Sequence, residues 1–223
     1  MAALSETGMY DSGTFKMGDY TFIYSGHPSS DRTRSAHGVA VCLNKQATTA
    51  WKNLGETWQA INERIVMVRL AGKPINVTVI AVYAPVNPTD QKGVVTTTEP
   101  FYRDLQDTFD RLPKGDILLI IGDLNARVGK EQHLTSGNVV GPYVVDTINE
   151  NGEHLLDFCS INNLILCNTF FQHKPVHQKS WKHPGSKTWH MIDYTLVNNF
   201  AQVSKMSESI VQRLEQLVRI IIS

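Results

Sequence analysis

Little in this 223-residue chain is abundant enough to sort it by composition. There is no excess of charge. Lys and Arg total 21 and Asp and Glu total 21, so a polyanionic partner would have to be met by a local patch. Cysteine is scarce: Cys42, Cys159 and Cys167 are odd in number and show no paired spacing. That excludes a disulfide scaffold and fits a reducing compartment. No apolar stretch approaches the ~20 residues that a membrane span needs, and residues 1–6 carry neither the basic nor the apolar region of a secretory signal. Internal repeats and low-complexity runs are missing too. The expectation is a soluble intracellular protein without a membrane partner, with one large domain or two small ones.

What is present is a set of short apolar or alternating runs rich in Val, Ile, Tyr and Thr. Residues 20–24, 38–43, 64–70, 75–82, 117–121, 164–167 and 192–197 read as strands. Ala71-Gly72-Lys73-Pro74 joins two of them as a hairpin turn. Helices are fewer. Pro100 opens one, with Phe101, Leu105, Phe109 and Leu112 on a single stripe. Residues 152–162 form a second. A third is expected from Ser204, where Val203, Met206, Ile210, Leu214, Leu217 and Ile221 recur at helical steps. The loop 85–99 is polar and expected on the surface. Strands outnumber helices and several follow one another directly. This predicts an α+β protein, a two-sheet β-sandwich flanked by helices, in preference to a doubly wound parallel sheet.

The stretch Ile117-Leu118-Leu119-Ile120-Ile121-Gly122-Asp123-Leu124-Asn125 stands apart. A fully apolar strand ends in a carboxylate and an amide, with Leu124 turned back to the core. Such a strand end suits a hard cation or a phosphoryl oxygen, and an Asx-type turn explains it equally. Three other places are similar. Glu6 follows a short apolar start. The strand Val79-Ile80-Ala81-Val82 ends in Tyr83-Ala84-Pro85. A last strand opens with Asp193, in Ile192-Asp193-Tyr194. Singly, each has an ordinary reading: a solvated terminal Glu6, a half-buried Tyr83, an Asp193 paired with a nearby lysine or with His190.

In this order, these motifs resemble the endonuclease/exonuclease/phosphatase superfamily. They are most similar to the apurinic-endonuclease-like domain of RTE-type non-LTR retrotransposons. Supporting stretches are residues 18–26, His37-Gly38-Val39-Ala40, Asn76-Val77-Thr78-Val79-Ile80 and Asn149-Glu150-Asn151-Gly152-Glu153. The resemblance runs from about residue 3 to residue 199. It implies one such domain over 1–199, followed by a divergent amphipathic helix over 200–223. It implies a DNA endonuclease that uses Mg²⁺, with Mn²⁺ as a substitute, in the nucleus where its substrate is. Glu6 holds the metal, Tyr83 contacts the phosphate, Asp123 orients or deprotonates the attacking water, Asn125 holds a phosphate oxygen and Asp193 pairs with a histidine. It also implies weakened catalysis. The family's asparagine upstream of the glutamate has no counterpart before Glu6, and no Ser-Asp-His occurs in the chain. The N-terminal and final strands of the fold are expected to be missing with them. A degenerate domain that binds without cleaving is the alternative, and His190 is a weak substitute for the lost histidine.

Residues 158–192 contain no Asp or Glu. They hold Lys174, Lys179, Lys182 and Lys187, four histidines, and Trp181 and Trp189. A cationic stretch with interleaved aromatics is expected to contact a DNA backbone. A solvated basic loop is the plainer reading, and zinc on His173 and His177 is a poor one for want of further ligands.

Overall fold

The computed structural model describes residues 1–31, 37–86, 98–172, 174 and 178–198. The described chain divides into two compact units. One comprises Met1–Ala84 and Glu99–Gly122, and the other residues 85–98 together with those from Asp123 onward.

The first unit contains a sandwich. Strands β1 (Ala2–Leu4), β2 (Ser12–Met17), β3 (Tyr20–Ser25) and β4 (Val39–Leu43) form an antiparallel sheet in the order β1-β4-β3-β2. Helix α1 (Lys45–Lys52) follows. Strands β5 (Trp58–Asn62), β6 (Ile65–Leu70) and β7 (Val77–Tyr83) come next, then helix α2 (Thr98–Asp110) and strand β8 (Ile117–Asp123), with the sheet order β5-β6-β7-β8. β3 and β4 lie against β5, β6 and β7. Ile23, Val41 and Leu43 of one sheet and Val66, Val68 and Ile80 of the other are fully buried, each contributing about 1.5–3 kcal/mol. β6 and β7 pair from Ile65↔Val82 to Leu70↔Val77, so the hairpin expected around residues 71–74 is there. α1 packs on β6, β3 and β4, with Asn44 capping its first turn and Trp51 buried at its end.

In the second unit, helices α3 (Lys130–Thr135) and α4 (Glu150–Ile161) precede β9 (Leu164–Leu166) and a single 3₁₀ turn, Cys167–Phe170. A two-stranded hairpin follows, β10 (Trp181–Lys182) with β11 (Trp189–His190). β12 (Asp193–Asn198) then pairs antiparallel with β9. α4 covers β9, with Leu155, Phe158 and Cys159 buried on its inner side.

The architecture is the expected α+β two-sheet sandwich with flanking helices, and the antiparallel hairpins exclude the doubly wound rival. All seven strands read from the sequence are present. β1, β2, β5 and the β10–β11 hairpin, and helices α1 and α3, were not read. The helix expected from Ser204, with the whole segment 200–223, lies outside the described residues, as do most of the loop 85–99 and both His173 and His177. Among the described residues no helix is long and apolar enough to cross a membrane.

Candidate active site

The residues singled out in the sequence fall into two groups, one in each unit.

In the first unit, β1 delivers Glu6 to an exposed bend. Glu6 itself is left-handed, with φ +54°, a conformation that costs a residue with a full side chain roughly 1–2 kcal/mol. The bend is tied down by Thr7 N–H donating to the Gly38 carbonyl at 3.2 Å and Gly8 N–H to the His37 carbonyl at 3.0 Å. Tyr83, the last residue of β7, is buried up to its hydroxyl and donates it to Glu6 Oε1 at 2.8 Å. The phenol and the carboxylate, expected separately at phosphate and metal, are therefore in direct contact. Among the described residues Glu6 Oε2 accepts no hydrogen bond. One carboxylate plus water and substrate oxygens is a ligand set that suits Mg²⁺. Among the described residues, no three His, Cys, Asp or Glu side chains cluster as a closed site would require.

Behind Tyr83 stands a charged layer that the sequence did not announce. Arg64 donates through Nη1 to the Tyr83 carbonyl at 3.2 Å, and its guanidinium lies 5.2 Å from the centre of the Tyr83 ring. Arg64 Nη2 also meets His37 Nε2 at 2.6 Å. Arginine only donates, so Nε2 must accept, and the imidazole is neutral with its proton on Nδ1. That nitrogen is 3.7 Å from Glu63. Burial, and then the Arg64 charge, hold the His37 imidazole below the usual histidine range, against the pull of Glu63.

The Gly122–Asn125 turn, where the chain passes from the first unit into the second, is built as its sequence suggested. Gly122 has φ +150°, and a Cβ there would overlap the Val82 carbonyl, so only glycine lets β8 run this close to β7 before the turn. Asp123 Oδ1 accepts from the Asn125 N–H at 2.8 Å, Leu124 is fully buried, and Asn125 is left-handed at φ +46°. Asn125 is then clamped from behind. Its carbonyl accepts from Asn149 Nδ2 at 3.1 Å and from Asn151 Nδ2 at 3.2 Å. Asn149 also caps α4 through the Gly152 N–H, and the fully buried Asn151 also donates to the Pro85 carbonyl at 2.8 Å. The Asn-Glu-Asn-Gly motif is thus the support of the turn.

Leu124 N–H donates to the Ile192 carbonyl at 3.0 Å, which brings the turn beside Asp193. Tyr194 of the Ile-Asp-Tyr motif is buried and donates to the Met191 carbonyl at 3.2 Å, fixing the entry to β12. Asp193 does not pair with a histidine or a lysine among the described residues. Burial pushes its carboxyl above the usual carboxylate range, opposed by a hydrogen bond from the Ser180 hydroxyl. A native pKa above the unfolded value means that the ionised form weakens the fold at neutral pH. The penalty sets in as pH rises through the native value and is absent below the unfolded one. Asp193→Asn should therefore unfold at a higher urea concentration than the parent at pH 7, with the difference vanishing at acid pH. A less stable Asn variant at neutral pH would show instead that the charge is well compensated.

His190 instead meets Asp146, a residue the sequence reading missed. Nδ1 lies 2.6 Å from Asp146 Oδ1, while Asp146 Oδ2 accepts from the Met191 N–H at 2.9 Å. Asp146 lies in irregular chain with no periodicity around it, and no local signal marks it. Of the basic stretch, Trp181, Lys182, Lys187 and Trp189 belong to the β10–β11 hairpin and its tip and are exposed, as is Lys174, while Lys179 is half-buried. Lys182 Nζ sits 5.7 Å from the Trp189 ring centre.

Comparison with known proteins places the fold. The chain is 36% identical over 196 residues to craniofacial development protein 2 of Bos taurus, covering 88% of this chain and 30% of that protein. The chain thus spans under a third of the length of the curated relatives it matches. Among solved structures, an AP endonuclease from Leishmania major superposes with a TM-score of 0.53 at 14% identity, over 88% of this chain and 69% of that one. The endonuclease domain of TRAS1, a telomere-specific non-LTR retrotransposon, gives 0.47 at 13% identity over 78% and 64%. No family model matches the chain.

Proposed function

We propose that this chain, which has the fold of the endonuclease/exonuclease/phosphatase proteins and is homologous to craniofacial development protein 2 over 88% of its length, is a slow Mg²⁺-dependent phosphodiesterase that nicks DNA. The observation that carries the reading is the 2.8 Å contact between Tyr83 and Glu6, residues 77 positions apart. Glu6 would hold the metal, which when bound polarises the phosphate and neutralises charge on it. Asp123 takes the proton of the attacking water, from a turn whose geometry is locked by buried amides. Asn125 and the Tyr83 hydroxyl supply hydrogen bonds where charge grows on the phosphate oxygens.

The substrate class is favoured by the hairpin. Lysine contacts to phosphate release counterions and aromatic faces stack bases, both without sequence preference. Lys182→Ala should weaken DNA binding and lower the slope of log affinity against log salt by about one. Trp189→Ala should cost ~1–3 kcal/mol of binding to single-stranded DNA. Binding titrations at several salt concentrations read both, and unchanged slopes and affinities would remove the hairpin from the interface.

The deciding experiment is nicking of supercoiled plasmid and of an abasic-site duplex, with Mg²⁺ and with chelator. Chelator-sensitive nicking is expected. A cooperatively folded sample that does not nick would favour the second reading, a non-cleaving binding module.

A further inference from the structure

The four-stranded sheet of the first unit ends in β1 on one side and β2 on the other. The β2 edge is weakly guarded. Strand edges are kept from pairing with other chains by bulges, prolines, charges or a covering element. β2 pairs with β3 without a break, from Ser12↔Ser25 to Met17↔Tyr20, so no bulge turns the edge away. It has no proline and a single charge, Lys16. Among the described residues no strand pairs with its outer side.

The turn decides which backbone groups face outward. Gly18-Asp19 closes the hairpin as a two-residue loop, with Gly18 at φ +59°, and Met17 and Tyr20 are the hydrogen-bonded pair that flanks such a loop. Antiparallel alternation then turns the N–H and C=O of Gly13, Phe15 and Met17 toward β3 and those of Ser12, Thr14 and Lys16 toward the open edge. The Asp11 carbonyl keeps the same alternation by accepting from the Gly26 N–H at 2.7 Å. Side chains divide likewise. Phe15 and Met17 share the outer face of the sheet with Tyr20, Phe22 and Tyr24, while Ile23 on the opposite face is buried. Phe15 stacks on Phe22 at 4.9 Å and meets Tyr24 edge-on at 5.9 Å. Phe15, Met17 and Tyr20 are 38%, 62% and 51% exposed. No residue that the four strands place on this face is charged. Aromatic residues and Met without charge are the composition of an interface core.

We infer that this chain self-associates through β2, which pairs antiparallel with β2 of a second copy about a two-fold axis at Thr14. The two sheets then join into one of eight strands. In this register Thr14 faces Thr14 of the second copy, Ser12 faces Lys16 and Phe15 faces Gly13. Every outward N–H and C=O of Ser12, Thr14 and Lys16 gains a partner. An axis at Lys16 would set two like charges opposite each other, which is destabilising. An axis at Ser12, Gly13 or Phe15 would leave outward groups of β2 without a strand partner. The Tyr24 ring already fills the space over Gly13, so Phe15 of each copy packs on Tyr24 of the other. An identical strand satisfies both sides of the axis at once, and such pairing closes at two copies. The open side chains present on the order of 600 Å², at about 200 Å² for a large side chain, short of the ~800 Å² per partner of a standard interface. The dimer is therefore weak and concentration-dependent. The Glu6 bend follows β1, at the far edge of each sheet, and stays open. The inference stands apart from the phosphodiesterase reading.

Sedimentation velocity of the 223-residue chain, from micromolar to submillimolar concentration, is the first test. The mass should rise from one copy toward two and no further. Thr14→Pro removes an outward N–H and leaves the ladder to β3 intact, and it should weaken the dimer about 10-fold or more. Phe15→Lys should weaken it too, by setting a charge in the aromatic face. Leu134→Lys and Ile161→Lys, at exposed apolar positions on α3 and α4, should leave it unchanged. Amide exchange followed by NMR gives a second readout. Raising the concentration should slow the amides of Ser12, Thr14 and Lys16, while those of Gly13, Phe15 and Met17 are slow already. A chain that stays monomeric throughout would overturn the inference. So would a dimer that survives Thr14→Pro, one that leaves the amides of Ser12, Thr14 and Lys16 fast, or one lost in Leu134→Lys or Ile161→Lys. Growth past two copies would assign the contact to two unlike edges and overturn it as well. Urea midpoints show whether Thr14→Pro folds, and if it does not, the amide pattern of the parent decides.

Discussion

Asp123→Asn is expected to lower Mg²⁺-dependent nicking by about 10³-fold or more while leaving the fold intact. The substitution keeps an oxygen in the place of Oδ1, so the bond from the Asn125 N–H at 2.8 Å survives. The clamp by Asn149 and Asn151 reaches the Asn125 carbonyl and does not touch residue 123. What is lost is the negative charge and the capacity to take a proton. The effect should thus appear in the rate constant at saturating DNA and hardly in DNA affinity. Nicking kinetics and a binding titration on the same preparation separate the two. An Asn variant that nicks within threefold of the parent would mean that another group serves the water.

The second large effect concerns stability. Asp116→Ala should destabilise the first unit by about 3 kcal/mol, near the low end for breaking a buried ion pair because Arg69 keeps some solvent contact. Arg69 of β6 and Thr78 of β7 are cross-strand partners. Asp116, just ahead of β8, ties them together: it takes Arg69 Nε at 2.6 Å, Nη2 at 2.9 Å and the Thr78 hydroxyl at 2.8 Å. Truncation strands a guanidinium and a buried hydroxyl at once. The Arg69 hydrogen bonds hold the Asp116 carboxyl below the usual carboxylate range, with Thr78 assisting and burial opposing. A native pKa below the unfolded one gives stability that is complete above the unfolded value, about 3.9. It is lost as pH falls through the native value. Urea unfolding should therefore show a gap between parent and variant that is full at pH 7 and shrinks below about pH 4. A gap independent of pH would assign the loss to packing.

Why some elements were legible and others not follows from what holds each in place. β6, β7 and β8 are buried over most of their length, so their apolar runs wrote themselves into the sequence. β2 is exposed at five of its six positions and is held chiefly by its ladder to β3 and by Phe15 stacked on Phe22 at 4.9 Å. No amphipathic pattern is needed for that. α1 buries only Trp51, and α3 buries nothing. Short helices of this kind rest on a cap and on neighbours and show no stripe. At the site, turn chemistry was readable because glycine and asparagine at left-handed positions are local requirements. The contacts of Arg64, His37 and Asp146 were not readable, since each is made with a partner far away in the chain: Tyr83, Arg64 and His190 respectively. The fate of Asp193 belongs with them: the sequence marked it, but its surroundings decided that it would face Ser180.

The clamp on the Asn125 turn also bears on chemical ageing. Asn151-Gly152 is a dipeptide that in open chain readily closes to a succinimide and deamidates. In the folded protein both reacting groups are engaged. The Asn151 amide donates to two carbonyls in a fully buried place, and the Gly152 nitrogen is spent on Asn149 Oδ1 at 2.9 Å. Loss of the amide is therefore confined to molecules whose α4 end has opened. Each such event is irreversible, and it sets a carboxylate against two carbonyl oxygens that need a donor. An acidic isoform accumulating in a stored sample would then be a running count of past openings at this turn, made up of molecules that can no longer rebuild it.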